Sequence, residues 1–212
     1  MIPAGRFARI CVVAGPIVVL PSATPSSGHV AAPVPVRFHE GTLHGFLTVS
    51  SETGSQLGHG HLLQTLHDGS VDSRMILTFD DGSLFDEQVT FTQANVFTMR
   101  RYRVVQQGPA FDVDMEGVLD RKTERYRVIT RNRERNEVDT LEGPLEMPAD
   151  VYNGMVVIIA KNLRNDAGAT IRIAAFTPEP RLIELAMVPA GGPQVLLGDR
   201  PQKTTHYVVK AQ

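Results

Sequence analysis

Hydrophobic and polar residues alternate along most of this chain, and a period of two is typical of half-buried β-strands. The clearest example is VDSRMILTF (71–79), in which the odd-numbered residues share one face. The segment DDGS (80–83) follows and supplies the Asp-Gly pair that suits a tight hairpin turn. LFDEQVTF (84–91) then returns as a second strand, so the pattern predicts a β-hairpin.

Further strands are predicted by the same alternation. They lie at about 42–50, 58–67, 96–105, 111–119, 124–131, 137–143, 170–176, 181–188 and 203–210. Around ten short strands joined by glycine-containing turns predict a mainly β fold, an antiparallel meander that forms a curved sheet, a half-barrel or an open barrel. We expect a single β-rich domain over 37–212, preceded by a Pro/Ala-rich linker at 31–36.

The segment MPADVYNGMVVIIAKNL (147–163) departs from this alternation. A proline suited to a first turn, with acidic and basic residues placed to suit the two ends of a helix dipole, favours a helix. Four successive β-branched residues from Val156 favour a strand instead, and the Asn-Gly pair at 153 favours a turn. We predict one principal helix at about 149–163, whose wide apolar arc must be buried against the sheet.

Composition narrows the class of protein. The chain has 212 residues, 42% of them hydrophobic and 21% charged, which suits one folded domain and not a disordered chain. Its 21 basic and 23 acidic residues lack the basic excess of nucleic-acid-binding domains. We therefore expect no nucleic-acid partner.

The N-terminal segment has the layout of a secretory signal peptide. Arg6 and Arg9 precede the apolar run ICVVAGPIVVL (10–20), and residues rich in Ser, Pro and Ala follow. The run is shorter than the roughly 20 residues that a transmembrane helix needs, so no membrane span is predicted. A buried N-terminal strand is the alternative. We expect residues 1–32 to be a signal peptide and linker, with the cleavage site left open, and the protein to be periplasmic or secreted.

The only cysteine, Cys11, lies inside this apolar run and does not follow a lipobox. The processed chain would contain no cysteine and form no disulfide. Loss of Arg6 and Arg9 would leave 19 basic and 23 acidic residues, a net charge of −4. An exported protein without disulfides fits a bacterial periplasm better than a small disulfide-rich scaffold.

Several blocks of the sequence resemble a family of uncharacterised exported bacterial β-proteins and, more distantly, the DUF3108-type periplasmic proteins. They are GTLHGFLTV, LTFDDGSLFDEQVTF, MPADVYNGMVVIIAKNL, AFTPEPRLIELAMVPAG and KTTHYVVK. The resemblance implies an antiparallel, strongly curved sheet with a helix packed on it, and it brings no activity, cofactor or catalytic residue. Members of the family continue beyond the block KTTHYVVK, whereas this chain ends at Gln212. If a closing strand is missing, the sheet has an open edge near 203–210, which invites pairing with another chain.

Histidines offer weak candidates for chemistry. His59 and His61 share one face of a strand and suit zinc or copper, with a carboxylate such as Asp68 or Glu40 to complete the site; solvated strand histidines are the alternative. His206 beside Tyr207 suggests an acid/base pair, or a structural histidine. The sequence contains no nucleophile elbow, Walker loop or dinucleotide fingerprint. We therefore predict no catalytic residue and no cofactor.

Basic residues are dense between 121 and 135, and more of them precede this run. Guanidinium groups bind phosphate well, so we consider a patch for lipid head groups. The alternative is the solvated face of a hairpin. The candidate head-group contacts are Arg100, Arg103, Arg125 and Arg127.

Three hypotheses for function follow. In the first, the exported protein binds a lipid or other amphiphile in the concave apolar face of its sheet, and the helix is a plug or lid. The helix residues expected to face this hollow are Tyr152, Met155, Ile158 and Ile159. In the second, the helix is permanent core, and the protein is an interaction module of the cell envelope that pairs with a partner through an open sheet edge. The third is an enzyme that uses the histidines above.

Overall fold

A computed structural model describes residues 32–51, 53–164, 167–192, 194–197 and 199–212. The predicted signal peptide and its cleavage region lie almost entirely outside the described residues. The predicted fold class is confirmed: the described chain is mainly β and antiparallel, with one α-helix.

Eight strands form one antiparallel meander in which each strand pairs with the next along the chain. They are β1 (Leu43–Ser50), β2 (Gln56–His67), β3 (Ser70–Phe79), β4 (Leu84–Gln93), β5 (Phe97–Gln107), β6 (Asp114–Asp120), β7 (Arg125–Asn132) and β8 (Glu137–Pro144). The sheet is not closed into a barrel. Its inner face carries the core, and its outer face is largely polar.

The predicted hairpin at 71–91 forms as expected from β3 and β4. Gly82 adopts a φ of +84°, a value that glycine tolerates best, and lets the chain reverse. Val71 then pairs with Phe91, and both side chains are buried on the inner face. The period of two in this segment therefore marks a half-buried strand, as predicted.

A second, three-stranded antiparallel sheet has the order β13-β10-β9. Its strands, and the small hairpin inserted between β10 and β13, are β9 (Ala169–Phe176), β10 (Pro180–Pro189), β11 (Gln194–Leu197), β12 (Arg200–Lys203) and β13 (Tyr207–Ala211). The single strand predicted at 203–210 is thus divided: its first residue ends β12, and most of the remainder forms β13.

The helix α1 (Val156–Asn162) is shorter than the predicted 149–163. Gly154 takes a φ of +72°, and the turn that it makes prevents a helix from starting earlier. The side chain of Asn153 also bonds to both backbone groups of Ala174 in β9, at 2.8 Å each. Residues 149–155 therefore form a turn segment beside β9, so the Asn-Gly pair did mark a turn, while the strand alternative for 156–159 is wrong.

The predicted linker at 31–36 is also wrong for its second half. Val34 is only 5% exposed and belongs to the core. Pro35 forms a β-bridge with Val96, and the N–H of Val36 donates to the carbonyl oxygen of Asn95 at 3.0 Å. The prolines of this segment hide an alternation in which Val34 points inward, so composition alone misassigned it.

The core lies between the inner face of the large sheet, the 147–163 segment and the three-stranded sheet. Its largest fully buried side chains are Tyr152, Phe91, Phe97, Met99, Leu119, Met155, Ile159, Ile171, Met187, Val71, Val128 and Val151. Within the described residues, no helix has both the length and the apolar character to cross a membrane.

Candidate functional site

The four helix-segment residues predicted to face the hollow of the sheet all lie in the core. Tyr152, Met155 and Ile159 are fully buried, and Ile158 is nearly so. They pack with side chains of the large sheet and of β9 and β10 in one continuous cluster. The segment thus occupies the inner face of the sheet.

An N-terminal strap (residues 34–40) holds this segment in place. The N–H of Val34 donates to the hydroxyl of Tyr152 at 2.8 Å. Two successive backbone N–H groups of the strap donate to Oδ1 of Asn162, at 2.9 and 2.8 Å. Asn162 in turn donates from Nδ2 to the carbonyl oxygen of Ile158, so the strap is bonded to the end of α1.

The far end of the strap is tied both to α1 and to β4. Glu40 is buried, and its carboxylate accepts a hydrogen bond of 2.8 Å from Nζ of Lys161. The side-chain amide of Gln93 pairs with both backbone groups of Glu40, at 2.6 and 2.8 Å. To leave the sheet as a lid, the helix would have to break all these bonds, as well as expose its apolar residues. The helix segment and the strap are thus bonded together as parts of the core.

Three of the four predicted head-group contacts lie on the outer face of the large sheet. Arg103, Arg125 and Arg127 alternate with buried Tyr and Val residues of β5 and β7, which point inward. Arg103 bonds to Glu116 with an N···O distance of 2.7 Å, and Arg127 to Glu142 at 3.0 Å. These arginines therefore do not surround the helix residues with which they were grouped.

Arg100 is the exception, because it lies at the rim where the 147–148 segment enters the core. Its neighbour Arg121 donates to the carbonyl oxygens of Met99, Met147 and Pro148. Burial, followed by the charge of Arg100, lowers the pKa of Arg121 from its ordinary value. Both line a shallow recess with Arg101, Asp120 and Lys122. Arg121 thus fixes the segment that leads to the helix. Its partners are backbone carbonyls, which every residue has, so the sequence gives no sign of this role.

A carboxyl and a phenol meet on the inner face. Tyr102 donates to Oε1 of Glu87 at 2.8 Å. Burial raises the pKa of Glu87, and the bond from Tyr102 opposes this shift in part. Burial, and then the charge of Glu87, hold the pKa of Tyr102 well above its usual range. A hydrogen bond with Asn153 offsets only part of this rise in the pKa. The pair joins β4 and β5 to the turn that precedes α1.

The histidine and tyrosine considered as an acid/base pair bond to different segments. His206 lies outside β13, whereas the hydroxyl of Tyr207 donates to the carbonyl oxygen of Arg164 at 2.8 Å. His206 is exposed, and its backbone N–H and C=O pair with Gly191 and Ala190. The hydrogen bonds of the two residues therefore connect β13 with the 190–191 segment and with Arg164.

The other histidines form a different pair from the one predicted. His59 is exposed, whereas His61 meets His44 of the neighbouring strand, with 3.0 Å between Nδ1 of His61 and Nε2 of His44. The ring of Phe46 lies 4.7 Å from that of His44 and 5.4 Å from that of His61, between centroids. We call His44 and His61 the histidine pair. No group of three or more His, Cys, Asp or Glu side chains in the described part of the chain is placed to hold a metal ion.

The two end strands of the large sheet differ in how they are protected. Among the described residues, β1 pairs only with β2, and β8 only with β7. β8 (EVDTLEGP) carries three acidic residues and a proline, features that discourage pairing with another chain. β1 (LHGFLTVS) has no charged residue and no proline, and its Phe46 is 78% exposed.

The edge predicted near 203–210 is now β13, which pairs with β10 on one side and carries a lysine. The other edge strand of that sheet, β9, is partly covered, because the 150–153 segment bonds to it. The least protected edge of the described structure is therefore β1.

Comparison of the chain with known proteins gives no match among protein-family models, curated proteins or solved structures.

Proposed function

We propose that this protein is an interaction module of the bacterial cell envelope, and that it adds a strand of a partner protein to the free edge of β1. The observation that carries the proposal is the uncharged, proline-free β1, exposed along the end of an eight-stranded sheet. Such an edge presents backbone N–H and C=O groups to any extended chain that fits it. Export is part of the proposal and is supported by the pattern of residues 1–32.

The partner that suits β1 is an extended, uncharged segment of another envelope protein. Charged residues would find no counter-ion along β1, whereas apolar side chains would contact Phe46 on the outer side and Leu47 on the inner side. Strand addition supplies affinity through main-chain hydrogen bonds, and the side chains select the sequence. A neutral, apolar strand is therefore the expected ligand.

A lipid carrier is less well supported by the same structure. A carrier must clear the inner face of the sheet, and that face is filled by α1 and closed by the strap. The predicted cationic contacts also do not line that inner face, because three lie on the outer face of the sheet and Arg100 lies at the rim. The helix is better explained as a part of the core that packs on the inner face of the large sheet.

The test is photo-crosslinking from β1 in the full chain, expressed in the native cell with a photoreactive residue at position 46. We expect crosslinks to another envelope protein, and binding of a synthetic peptide that carries the crosslinked segment. The double variant Phe46→Lys/Thr48→Lys should weaken this binding at least about tenfold, because lysines on an edge strand oppose pairing.

The matched control is Val138→Lys/Thr140→Lys on β8, which places the same two charges at the same spacing on the other end strand. Equal loss in both variants would overturn the proposal, because binding would then depend on net charge and not on β1. Crosslinks to a second copy alone would also overturn it and make the sheet a dimer interface. The proposal would likewise be overturned if the purified protein contained extractable lipid and no partner protein were crosslinked.

A further inference from the structure

The histidine pair lies on the outer face of β1 and β2, outside the core and away from every group discussed above as a lid or head-group contact. In the pairing of these strands, Phe46 is opposite His61 and Leu63 is opposite His44. The two imidazoles are therefore diagonal neighbours on one face, which brings their nitrogens to 3.0 Å. At this distance, two nitrogens share either a proton or a metal ion.

We propose that His44 and His61 bind Cu(II) through one ring nitrogen each. A metal about 2.05 Å from both nitrogens, at their present separation of 3.0 Å, would subtend an angle of about 95°. That angle suits the tetragonal geometry of Cu(II) or Ni(II), and Cu(II) binds such nitrogen ligands more tightly. A tetrahedral angle, which Zn(II) prefers, would require the nitrogens to be about 3.3 Å apart.

The surroundings permit this coordination. His44 is exposed and His61 is half-buried, so both rings have room to turn from facing one another to facing a shared ion. Phe46 covers part of the pair, and water fills the remaining positions of a tetragonal Cu(II) ion. The nearby guanidinium of Arg74 is held by Asp86, with N···O distances of 2.7 and 2.9 Å, so its charge is balanced.

The sequence offers a matched control in His59. It lies on β2 two residues from His61, on the same face, opposite Thr48 on β1 and Thr78 on β3. It has no imidazole as a cross-strand partner, so it differs from His61 in the one feature that the proposal requires. Loss of His59 should leave the site intact.

The experiment is a titration of the untagged full chain with CuCl₂ at neutral pH, followed by calorimetry and electron paramagnetic resonance. We expect one site per chain with superhyperfine coupling from two nitrogens. His44→Ala and His61→Ala should each weaken binding at least about tenfold, since the chelate is lost, and reduce the coupling to one nitrogen. His59→Ala should match the wild type.

Equal weakening in all three variants would overturn the proposal, as would wild-type affinity no tighter than that of His44→Ala/His61→Ala. Circular dichroism of each variant separates lost binding from lost folding, and His44→Gln with His61→Gln provides a second, milder pair of substitutions. The site does not depend on partner binding by β1. If copper does not bind, the strand-addition proposal still stands. If no partner is crosslinked, the copper proposal still stands.

Discussion

The backbone N–H of Val34 donates a hydrogen bond of 2.8 Å to the hydroxyl of Tyr152, which lies 118 residues later in the chain. Both residues are buried, so water cannot easily replace the bond. Tyr152→Phe removes the acceptor and leaves a buried N–H without it. We expect the free energy of unfolding to fall by about 1–3 kcal/mol, measured by urea denaturation.

Tyr207→Phe is the control for this prediction. Its hydroxyl also bonds to a backbone group, in this case as the donor to the carbonyl oxygen of Arg164, and that bond is at the surface. Water can take the place of the lost hydroxyl, so the loss should be about 0–1 kcal/mol. Equal losses in the two variants would show that the strap bond at Val34 is no more important than a surface contact.

Asn162 is the second point at which the strap depends on one side chain. Its Oδ1 accepts from the N–H groups of both Arg37 and Phe38. Asn162→Ala leaves two partly buried donors to find other partners, and we expect a loss of about 2–4 kcal/mol in the free energy of unfolding. The measurement is again urea denaturation of the full chain.

Asn132 provides the same arrangement in an exposed turn, where its Oδ1 accepts from the N–H groups of Glu134 and Arg135. Asn132→Ala should cost less than about 1 kcal/mol, since the donors are then hydrated. A cost for Asn162→Ala no greater than that for Asn132→Ala would contradict the assigned role of the strap.

The strap and the sheet illustrate what could be predicted from this sequence. Strands such as 71–79 were predicted to within a residue or two, because alternation and turn chemistry are local properties. The burial of Val34 depends on Tyr152, and the start of α1 depends on bonds from Asn153 to Ala174 in β9. Such contacts between distant segments leave no local pattern.

The candidate sites divide in the same way. Alternation along β5 places Arg103 on the face opposite Tyr102, but it does not tell which of the two faces the helix segment covers. The pairing of His61 with His44 depends on the register between β1 and β2, which includes a shift at Val49 and Ser50. The sequence alone therefore predicts His59 as the partner of His61, because the two share one face of a strand.

The raised pKa of Glu87 predicts a dependence of stability on pH. Burial raises this pKa, so the folded state holds the proton more tightly than the unfolded state. Stability from this group is full below the ordinary pKa of a glutamate and is lost as pH rises through the folded pKa. Glu87→Gln keeps an acceptor for Tyr102 and removes the titration. We expect its stability relative to wild type to increase between pH 4 and pH 7, measured by urea denaturation.

Asp86, the next residue, should behave in the opposite sense. Burial alone would raise its pKa, but hydrogen bonds from Arg74 and Gln88 and the charge of Arg103 lower it overall. Its contribution is present above the ordinary pKa of an aspartate and is lost as pH falls through the folded pKa. Asp86→Asn should therefore lose stability relative to wild type as pH rises. The same trend in both variants would contradict these assignments.

The docking of the two sheets depends on Gly117 in β6. A methyl group at this position would lie 2.6 Å from Cε1 of Phe176 in β9. The Phe176 ring is stacked on Tyr102, with 6.2 Å between centroids, so it cannot move away freely. We expect Gly117→Ala to lower the free energy of unfolding by about 1–3 kcal/mol, by overpacking. Denaturant unfolding of the full chain measures this.

Gly45→Ala in β1 is the matched control, because its methyl group would meet Leu62 at an ordinary 3.7 Å. That variant should keep nearly the stability of the wild type. Phe176→Leu, a smaller side chain, should recover part of the loss when combined with Gly117→Ala, since it relieves the same contact. If the double variant recovers no stability, Gly117 is required for its backbone conformation and not for the space that it leaves to the Phe176 ring. The sheets would then be held by the apolar contacts around α1 and not by this close approach.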